Sequence, residues 1–429
     1  MKVLVLGTGA REHALVQALA RDPEVSAIAA APGNPGMADQ AELLAVDPMD
    51  GPAVAALATT WGADLVVVGP EAPLVAGVAD AVRAAGIDCF GPTGPAAQLE
   101  GSKAFAKDVM AEADVPTALA HVCRTDAEVE QALDALGAPH VVKDDGLAAG
   151  KGVVVTDDRA EALAHARACL AHGAAAGQVA QVVVEEFLDG PEVSLFCVTD
   201  GVSVVPLEPA QDFKRLLDGD AGPNTGGMGA YTPLPWAEPT LVEDVLARVA
   251  QPTVDAMARR GTPFAGLLYV GLAMTSRGPR VVEFNARFGD PETQVVLARL
   301  ESPLGALLRA AATGTLADHP PLRWSDQAAV TVVLASPGYP VAPTTGGVLQ
   351  GLDAAAAVPG ASVLHAGTAR RGDDVVSSGG RVLSVVGVGT TLDDARAVAY
   401  DALGRVELDG GQHRTDIAAA AALAQEVRA

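Results

Sequence analysis

The sequence predicts a multidomain protein that combines α/β and α+β architecture, and three observations support this prediction. The chain has 429 residues, more than one hydrophobic core usually serves, so we expect two to four domains. It opens on a strand, a glycine turn and a helix, the start of an α/β unit with parallel strands. Residues 141–155 read instead as two short valine-rich strands around a glycine-rich loop, which indicates an antiparallel hairpin within an α+β unit.

Residues 1–101 are predicted to form the first domain, a small doubly wound unit. A strand at 2–6, a Gly-Thr-Gly turn and a helix at 11–20 are typical of a Rossmann-like fold. Glu12 stands where the dinucleotide fingerprint has its third glycine, so a dinucleotide is disfavoured, whereas a simple phosphate at the helix N-terminus, helped by Arg11, fits the pattern. Ligands of open α/β sheets bind beyond the strand ends. The candidate substrate-binding residues there are Gly9, Arg11, Gly33, Asn34, Pro70 and Glu71.

The glycine-rich loop is the most informative segment of the chain. It follows Lys143 and contains Gly146, Gly150, Lys151 and Gly152, although only six of the 29 basic residues of the chain are lysines. Two lysines bracketed by glycines predict a lid over phosphates, the alternative being solvated surface charge. A Walker A loop is disfavoured because it has four residues between its glycines and a Ser or Thr after its lysine.

The rest of the chain divides by its pattern of elements. Residues 121–187 follow the order β, α, β, β, α, β and are predicted to form a lid subdomain around the glycine-rich loop. Residues 102–120 and 188–326 are predicted to form the central domain, with helices over 239–260. Residues 327–429 alternate valine-rich strands with glycine turns and should form a separate small α+β domain.

Two strand ends carry residues suited to a nucleotide and a metal ion. Glu185-Glu186-Phe187-Leu188 follows a valine-rich strand, where backbone groups and apolar side chains suit an adenine base. Acidic residues at a strand end are usually solvated. This motif therefore indicates an adenine site only because it follows the glycine-rich loop. Glu283 and Asn285 alternate with Phe284 and therefore share one face of a strand. Mg²⁺ that is already bound to ATP phosphates needs about two further oxygen ligands from the protein, and this pair could supply them. The alternative is that both are solvated polar residues on an edge strand.

Composition and charge narrow the classes of partner. The net charge of −24 argues against binding to nucleic acid or anionic membranes, because the field of the protein repels polyanions. Any anionic ligand must then be held by local cations. The four cysteines show no metal-binding spacing, the first apolar run is too short for a signal peptide, and no segment approaches about 18 uninterrupted apolar residues. We therefore expect a cytoplasmic protein that binds neither nucleic acid nor membranes.

Motifs along nearly the whole chain resemble those of ATP-grasp ligases and, more narrowly, of phosphoribosylamine–glycine ligases. The glycine-rich loop, the Glu-Glu-Phe-Leu hinge and the Glu-Phe-Asn strand carry the first resemblance. The narrower one rests on residues 9–15, 68–74, 98–103, 212–215, 222–231 and 287–294. Three residues depart from the family pattern: Ala10 replaces a frequent Gly, Asp144 a common small residue, and Phe213 a frequent His. Position 213 therefore cannot act as an acid or base, but none of the three departures removes the phosphate or metal chemistry.

The resemblance implies a carbon–nitrogen ligase that joins glycine to 5-phosphoribosylamine with ATP, through glycyl phosphate, in purine biosynthesis. It implies ATP and Mg²⁺ or Mn²⁺ as cofactors, a monomer, and transient contact with the amidophosphoribosyltransferase that supplies the amine. Arg287 would bind the glycine carboxylate and Asp212 its ammonium, and with Lys143 they are the implied catalytic residues. The implied metal ligands are Glu283 and Asn285. The implied ATP-binding residues are Lys103, Lys143, Gly146, Gly150, Lys151, Gly152, Glu185, Glu186, Phe187, Leu188, Glu192 and Lys214. The substrate-binding residues that it adds are Asp212, Arg287, Gly289 and Asp290.

Three alternatives remain open from the sequence. A sister ATP-grasp enzyme that carboxylates or formylates an amine would share the lid and the metal strand, but the Gly-Pro-Asn-Thr-Gly-Gly-Met-Gly segment at 222–229 argues against it. A nicotinamide enzyme is disfavoured by Glu12. A nucleotide-binding module without turnover is disfavoured by the intact Glu283 and Asn285 pair.

Overall fold

The computed structural model describes residues 1–147, 152–175 and 180–428, and the N-terminal part forms a five-stranded parallel sheet. The strand order β3-β2-β1-β4-β5 places β1 at the centre, and its register aligns Gly7 with Pro32 and Leu6 with Val68. The loops after these strands therefore meet at one edge, and the predicted Rossmann-like start is confirmed. The elements are β1 (Lys2–Gly7), α1 (Ala10–Ala20), β2 (Ala27–Pro32), β3 (Glu42–Leu43), α2 (Gly51–Trp61), β4 (Leu65–Val68), α3 (Glu71–Val75), α4 (Val78–Ala84), β5 (Asp88–Phe90) and α5 (Gly94–Gly101).

The lid region is a four-stranded antiparallel sheet with two helices, in the order β, α, β, β, α, β that the sequence predicts. Its strand order is β6-β9-β7-β8, and the hairpin of β7 and β8 pairs Lys143 with Val153 across the glycine-rich loop. The elements are α6 (Lys103–Glu112), β6 (Ala120–Cys123), α7 (Asp126–Leu136), β7 (His140–Asp144), β8 (Val153–Thr156), α8 (Arg159–Ala175) and β9 (Val182–Glu185).

The central region is built on a second antiparallel sheet of order β11-β10-β16-β17. Glu283 and Asn285 end β17, while Phe284 between them is 3% exposed, as the alternation along the strand predicts. The strands and helices are β10 (Glu192–Asp200), β11 (Val204–Pro206), β12 (Gln211–Asp212), β13 (Arg215–Leu217), β14 (Ala221–Asn224), β15 (Gly229–Thr232), α9 (Leu241–Val245), α10 (Gln251–Arg259), β16 (Ala265–Thr275), β17 (Gly278–Asn285), α11 (Glu292–Arg299) and α12 (Leu304–Thr313).

The C-terminal sheet is shared with the central region rather than confined to the last hundred residues. Its order is β12-β15-β18-β22-β19, and β15 pairs with β18 from Gly229 and Val332 to Thr232 and Ala329. Valine-rich β18 is buried along its whole length and lies at the centre of this sheet, between β15 and β22. The elements are β18 (Ala328–Ala335), α13 (Leu352–Ala356), β19 (Ala361–His365), β20 (Thr368–Arg371), β21 (Asp374–Ser377), β22 (Arg381–Gly389), α14 (Leu392–Leu403) and α15 (Ala419–Arg428).

Short turns complete the chain, and none of the helices within the described residues is long and apolar enough to cross a membrane. The turns of 3₁₀-helix and the single π-helical turn are Pro35–Met37, Asp218–Asp220, Leu316–Asp318 and Leu246–Ala250.

Candidate active site

Lysine side chains gather where the sequence predicts ATP phosphates. Lys143 on β7 is 5% exposed, and its Nζ donates a 3.1 Å hydrogen bond to the carbonyl of Val282 on β17. Lys103 opens α6 and donates a 2.9 Å bond to the carbonyl of Gly146 in the lid loop. Burial lowers the pKa of Lys103, an effect that Glu283 opposes and the charge of Lys143 reinforces. Because the charges of Lys103 and Lys143 act on each other, an anionic ligand beside both ammonium groups would be stabilised.

The Glu185 side chain does not face outward towards a nucleoside. It is 3% exposed, with Oε2 3.0 Å from Lys143 Nζ and Oε1 3.3 Å from Lys107 Nζ. Lys107 also donates a 2.8 Å bond to Thr117 Oγ1. Burial lowers the pKa of Lys107 to about 8, although Glu185 opposes the shift. The Glu185 carboxylate thus orients Lys143 from behind, and Lys107 joins the site as a residue to which the sequence analysis gave no role.

The hinge after β9 presents apolar side chains to solvent. The backbone N–H of Glu186 donates a 2.9 Å hydrogen bond to the carbonyl of Leu119, and the Glu186 carboxylate lies 3.2 Å from Arg277 Nη2. Phe187 is 46% exposed and Leu119 is 66% exposed, large values for residues of this size. A planar ring placed here would cover both. Leu188 follows in the irregular segment before β10.

Lys214 faces the same cleft from the loop after β12. Its ammonium forms an ion pair with Glu192 at the start of β10, so two residues predicted for the ATP site are brought together. Burial alone would lower the pKa of Lys214, but the carboxylates of Glu192 and Asp212 outweigh it and hold the pKa well above its ordinary value. Lys214 is therefore a permanent cation at neutral pH.

The lid loop is described at its two ends. The backbone N–H of Asp144 donates a 2.7 Å hydrogen bond to the carbonyl of Gly152, which closes the hairpin. Gly146 accepts the bond from Lys103 described above. Gly150 and Lys151, both predicted to bind ATP, lie outside the described residues.

Glu283 provides the charge expected of a metal ligand. Burial would raise the pKa of Glu283, but the charges of Lys214, Lys143 and Lys103 outweigh it and lower the pKa, so the carboxylate is ionised at neutral pH. The neighbouring strand β16 pairs with β17, Gly271 opposite Glu283, and contributes no carboxylate there. No cluster of three or more His, Cys, Asp or Glu within the described ranges could hold a metal by itself. One carboxylate and one amide fit Mg²⁺ that receives its remaining ligands from phosphates and water.

Arg287 lies between two carboxylates beyond the end of β17. Its Nε is 3.2 Å from Glu71 Oε2 and its Nη2 is 3.1 Å from Glu100 Oε1. Burial would lower the pKa of Arg287, but Glu100 and Glu71 reverse the shift and raise it. Glu100 lies in the 98–103 motif, but no role for it was predicted from the sequence. The Arg287 side chain is 18% exposed, and its Nη1 donates a 3.2 Å hydrogen bond to the carbonyl of Phe288, so all three nitrogens of the guanidinium are held in place.

Acidic side chains line the cleft next to Arg287. Glu292 at the start of α11 is 3% exposed and accepts hydrogen bonds from Tyr269 Oη at 2.8 Å and Ser194 Oγ at 3.0 Å. A Cβ on Gly289 would lie 2.5 Å from Glu292 Oε2, so only glycine fits this turn. Burial raises the pKa of Asp212 to about 7; Lys214 opposes this shift and Glu292 adds to it. A buried carboxylate with two neutral donors favours a cationic ligand. Glu292 is thus a further residue that the sequence analysis left without a role.

Arg11 and Glu71 connect the loops of the N-terminal sheet to Arg287. Arg11 Nη1 lies 4.0 Å from Glu71 Oε2, the same oxygen that contacts Arg287. The helix N-terminus predicted to bind a phosphate is already occupied by a carboxylate, since Glu12 accepts a 2.6 Å bond from the Gly9 N–H and a 2.5 Å bond from Arg11 Nε. Because the Glu12 side chain accepts these two hydrogen bonds, position 12 carries glutamate where a dinucleotide-binding loop would have glycine.

The other predicted substrate residues lie around this loop. Asn34 is 4% exposed and donates hydrogen bonds to the carbonyls of Thr8 at 2.9 Å and His365 at 2.8 Å, which joins the loop after β2 to the C-terminal region. Gly33 has φ +70, which favours glycine. Pro70 precedes α3 and packs close to Gly7. Asp290 approaches Gly9 and pairs with Arg381, at 3.1 Å between Asp290 Oδ2 and Arg381 Nη2.

These features define a class of protein. A glycine-rich hairpin and lysines over one side of a cleft, a hinge with exposed apolar side chains, and a carboxylate–amide strand facing the lysines are the parts of an ATP-grasp ligase. Family models agree with this class: the phosphoribosylglycinamide synthetase N domain matches residues 1–100, its ATP-grasp (A) domain residues 101–293, and its C domain residues 329–420. The chain belongs to the phosphoribosylamine–glycine ligase family.

Individual relatives are similar over their whole length. The phosphoribosylamine–glycine ligase of Streptomyces coelicolor is 69% identical over 98% of this chain and 100% of its own, and that of Leifsonia xyli is 60% identical over the same shares. The crystal structure of the Thermotoga maritima phosphoribosylamine–glycine ligase is 32% identical, covers 97% of this chain and 100% of its own, and superposes with a TM-score of 0.83. Biotin carboxylase from Campylobacter jejuni, at 13% identity, 96% and 92% coverage and a TM-score of 0.71, shares the fold.

Proposed function

We propose that this protein joins glycine to 5-phosphoribosylamine and releases glycinamide ribonucleotide, ADP and phosphate. The observation that carries the proposal is the division of one cleft into a lysine-rich side and a carboxylate-rich side that meet at Glu283, the group on which Lys214, Lys143, Lys103 and Arg287 all act. A triphosphate fits the first side. A zwitterion and an amine fit the second.

On the phosphate side, Lys103 and Lys143 would hold ATP phosphates beneath the glycine-rich lid, with Lys143 kept in place by Glu185. The hinge at 185–188 would receive adenine, with Glu192 and Lys214 beside the nucleoside. Glu283 and Asn285 would hold Mg²⁺ or Mn²⁺, which supplies charge neutralisation for the transferred phosphoryl group. The lysines and this metal together stabilise charge that develops during transfer.

On the other side, glycine would bind between Arg287 and the two acids Asp212 and Glu292. Arg287 suits the carboxylate, and the two acids suit the ammonium. A glycine carboxylate oxygen would attack the γ-phosphorus of ATP and displace ADP, which gives glycyl phosphate. The positioning of both reactants replaces a protein nucleophile in this step.

The amine of 5-phosphoribosylamine would then attack the acyl carbon, phosphate would leave with the bridging oxygen, and the amine would lose a proton. The acidic groups near Gly9 and Glu71 provide hydrogen-bond acceptors for this substrate, which would reach the cleft from the loops of Gly33, Asn34 and Pro70. Gly289 and Asp290 would line the same end.

Several wider expectations accompany this proposal. We propose domain boundaries at 1–101, at 102–120 with 188–326, at 121–187 and at 327–429, a monomer in the cytoplasm, and transient contact with the amidophosphoribosyltransferase that makes the unstable amine. Residues 121–187 would move over ATP as one unit.

The test is phosphate release from ATP with each substrate omitted in turn, the amine being generated in situ from ribose 5-phosphate and ammonia. Release should require both glycine and the amine. Bicarbonate or formate in place of glycine tests the sister carboxylating and formylating reactions, and release with either of them but not with glycine would refute the proposal.

A further inference from the structure

Arg381, the first residue of β22, reaches out of the C-terminal region into the acidic side of the cleft. Its Nη1 donates hydrogen bonds to the carbonyls of Gly226 at 2.5 Å, Asp290 at 2.7 Å and Gly227 at 3.4 Å. Its Nη2 lies 3.1 Å from Asp290 Oδ2. One guanidinium therefore joins two segments of the central region, one in the glycine-rich block at 222–231 and the other in the turn at 287–294.

The segment that Arg381 contacts is closely packed on both sides. A Cβ on Gly226 would lie 3.2 Å from Arg381 Cζ, and a Cβ on Gly227, whose φ is +108, would lie 2.4 Å from Pro291 Cδ. Tyr339, also from the C-terminal region, accepts a 2.9 Å hydrogen bond from the Gly226 N–H. The backbone at 226–227 is thus held between the C-terminal region and the turn that carries Asp290.

Asp290 is fixed at both oxygens. Oδ1 accepts a 2.8 Å hydrogen bond from Gln294 Nε2, and Oδ2 pairs with Arg381. The Asp290 side chain is 14% exposed, and Oδ2 lies 3.6 Å from the position that a Cβ on Gly9 would take. A largely buried carboxylate is held in place by a paired cation. Arg381 supplies that cation and leaves the carboxylate facing the Gly9 loop.

We propose that Arg381 is a positioning residue for the amine substrate: through Asp290 and the backbone at 226–227 it holds the surface against which a phosphorylated amino sugar binds. The C-terminal region is then part of the acceptor site. A carboxylate facing Gly9 suits the hydroxyl and amine donors of such a sugar. This inference rests on the proposed function, because it names the residue that shapes one of its three substrate sites.

The geometry also says why arginine is required. The three carbonyls lie around Nη1 and the carboxylate oxygen lies beside Nη2, so the contacts use two nitrogens of the planar fork. A lysine ammonium is a single point charge and can take only one of these two positions. Arg381→Lys should therefore behave much like Arg381→Met, whereas a simple need for positive charge would let lysine restore activity.

The experiment measures KM for ATP, glycine and in-situ 5-phosphoribosylamine in wild type, Arg381→Met, Arg381→Lys and Tyr339→Phe. Loss of charge-assisted hydrogen bonds should raise KM for the amine by about 10- to 100-fold in both Arg381 variants. KM for ATP and glycine should stay within about twofold of wild type. Tyr339→Phe keeps the ring and removes one acceptor, so it should raise the same KM by only about two- to fivefold.

Arg371→Met is the matched control, since Arg371 is exposed and donates a hydrogen bond to the Gly346 carbonyl within the same region, so its loss should leave all three constants unchanged. A wild-type protein without turnover overturns the proposed function and this inference together. An active wild type whose Arg381 variants keep a normal KM for the amine overturns this inference alone. Equal increases in all three constants, with a lower Tm, would also overturn it, because they indicate a structural role.

Discussion

The ATP side and the substrate side of the cleft use different basic residues to pair with their carboxylates. On the ATP side, Lys143 pairs with Glu185 and Lys214 with Glu192. Together with Lys103 these lysines also lower the pKa of Glu283, which forms no direct ion pair within the described part of the chain. On the substrate side, each guanidinium has its own carboxylate: Arg287 has Glu71 and Glu100, and Arg381 has Asp290. Both sides thus pair their cations with carboxylates, but the first uses ammonium groups and the second uses guanidinium groups.

This difference follows the charge of the ligands. A triphosphate brings several negative charges, so its site must supply several cations. Glycine brings one charge of each sign, and the amino sugar brings a phosphate together with amine and hydroxyl groups, so their site needs fixed charges of both signs. Lysine suits the first task as a mobile point charge, and arginine suits the second as a planar fork.

The largest expected effect is on the lysine side. Lys143→Met should lower kcat by about 10²–10³, because a preorganised cation near the transferred phosphoryl group is lost. Lys107 can still pair with Glu185 in this variant, so Tm should fall little. Steady-state turnover at saturating ATP, with Tm measured in parallel, checks it. Near-normal turnover would show that Lys143 does not contact the transferred phosphate. It would also contradict the assignment of the lysine side to ATP.

Arg287→Lys tests the arginine side. The substitution keeps the charge and loses the fork, so KM for glycine should rise by about 10- to 100-fold while KM for ATP stays nearly constant. Initial rates with each substrate varied in turn measure both constants. The opposite outcome, a weakened ATP KM with an unchanged glycine KM, would place Arg287 on the phosphate side.

Glu283 tests the boundary between the two sides. Glu283→Gln should raise the Mg²⁺ concentration needed for half-maximal activity on the order of tenfold and lower kcat, because the one charged metal ligand is lost. Asn285→Asp should shift the Mg²⁺ requirement in the other direction. Metal titrations at fixed ATP check both variants. Calorimetry of the protein without nucleotide gives the control, since Mg²⁺ binding at micromolar concentration would reveal a further carboxylate ligand.

The smallest expected effect is a pH dependence from Asp212. Its pKa is raised from 3.8 to about 7, so the carboxyl is neutral below that pH and cannot bind the glycine ammonium. KM for glycine should fall as pH rises from 6 to 7 and level off above about 7.5. Asp212→Asn should remove this dependence and leave KM high at every pH. A glycine KM that does not change between pH 6 and 8 in wild type would exclude Asp212 as the ammonium ligand.

The sign of the linked stability effect is opposite to that of a normal salt-bridged acid. Because the folded protein holds a proton on Asp212 that the unfolded chain loses near pH 3.8, the stability contribution of this group declines as pH rises from about 4 to 7. Asp212→Asn should therefore flatten the dependence of the free energy of unfolding on pH in that window.

Local patterns predicted local structure well. The β7–β8 hairpin and the alternation of Glu283, Phe284 and Asn285 follow from valine runs and a period of two, which depend on adjacent residues only. The pairing of β15 with β18 could not be predicted in this way, because it joins segments about a hundred residues apart through backbone hydrogen bonds that carry no sequence signal.

The ion pairs of the site could not be predicted from the sequence either. Glu185, Glu100 and Glu292 are acidic residues at element ends, where a solvated carboxylate and a paired one give the same pattern. Only the fold brings Lys107 to Glu185, and Arg381 to Asp290. No sequence pattern distinguished Lys107, so its part in the site is apparent only from its contact with Glu185.

The central claim is that a glycine carboxylate oxygen becomes bonded to the phosphorus that leaves ATP as phosphate. Glycine labelled with ¹⁸O in both carboxylate oxygens tests it directly in a full turnover with ATP and 5-phosphoribosylamine. The account predicts that one ¹⁸O appears in the released phosphate and the other stays in the new amide carbonyl. Phosphate free of ¹⁸O, formed together with the amide product, would contradict it.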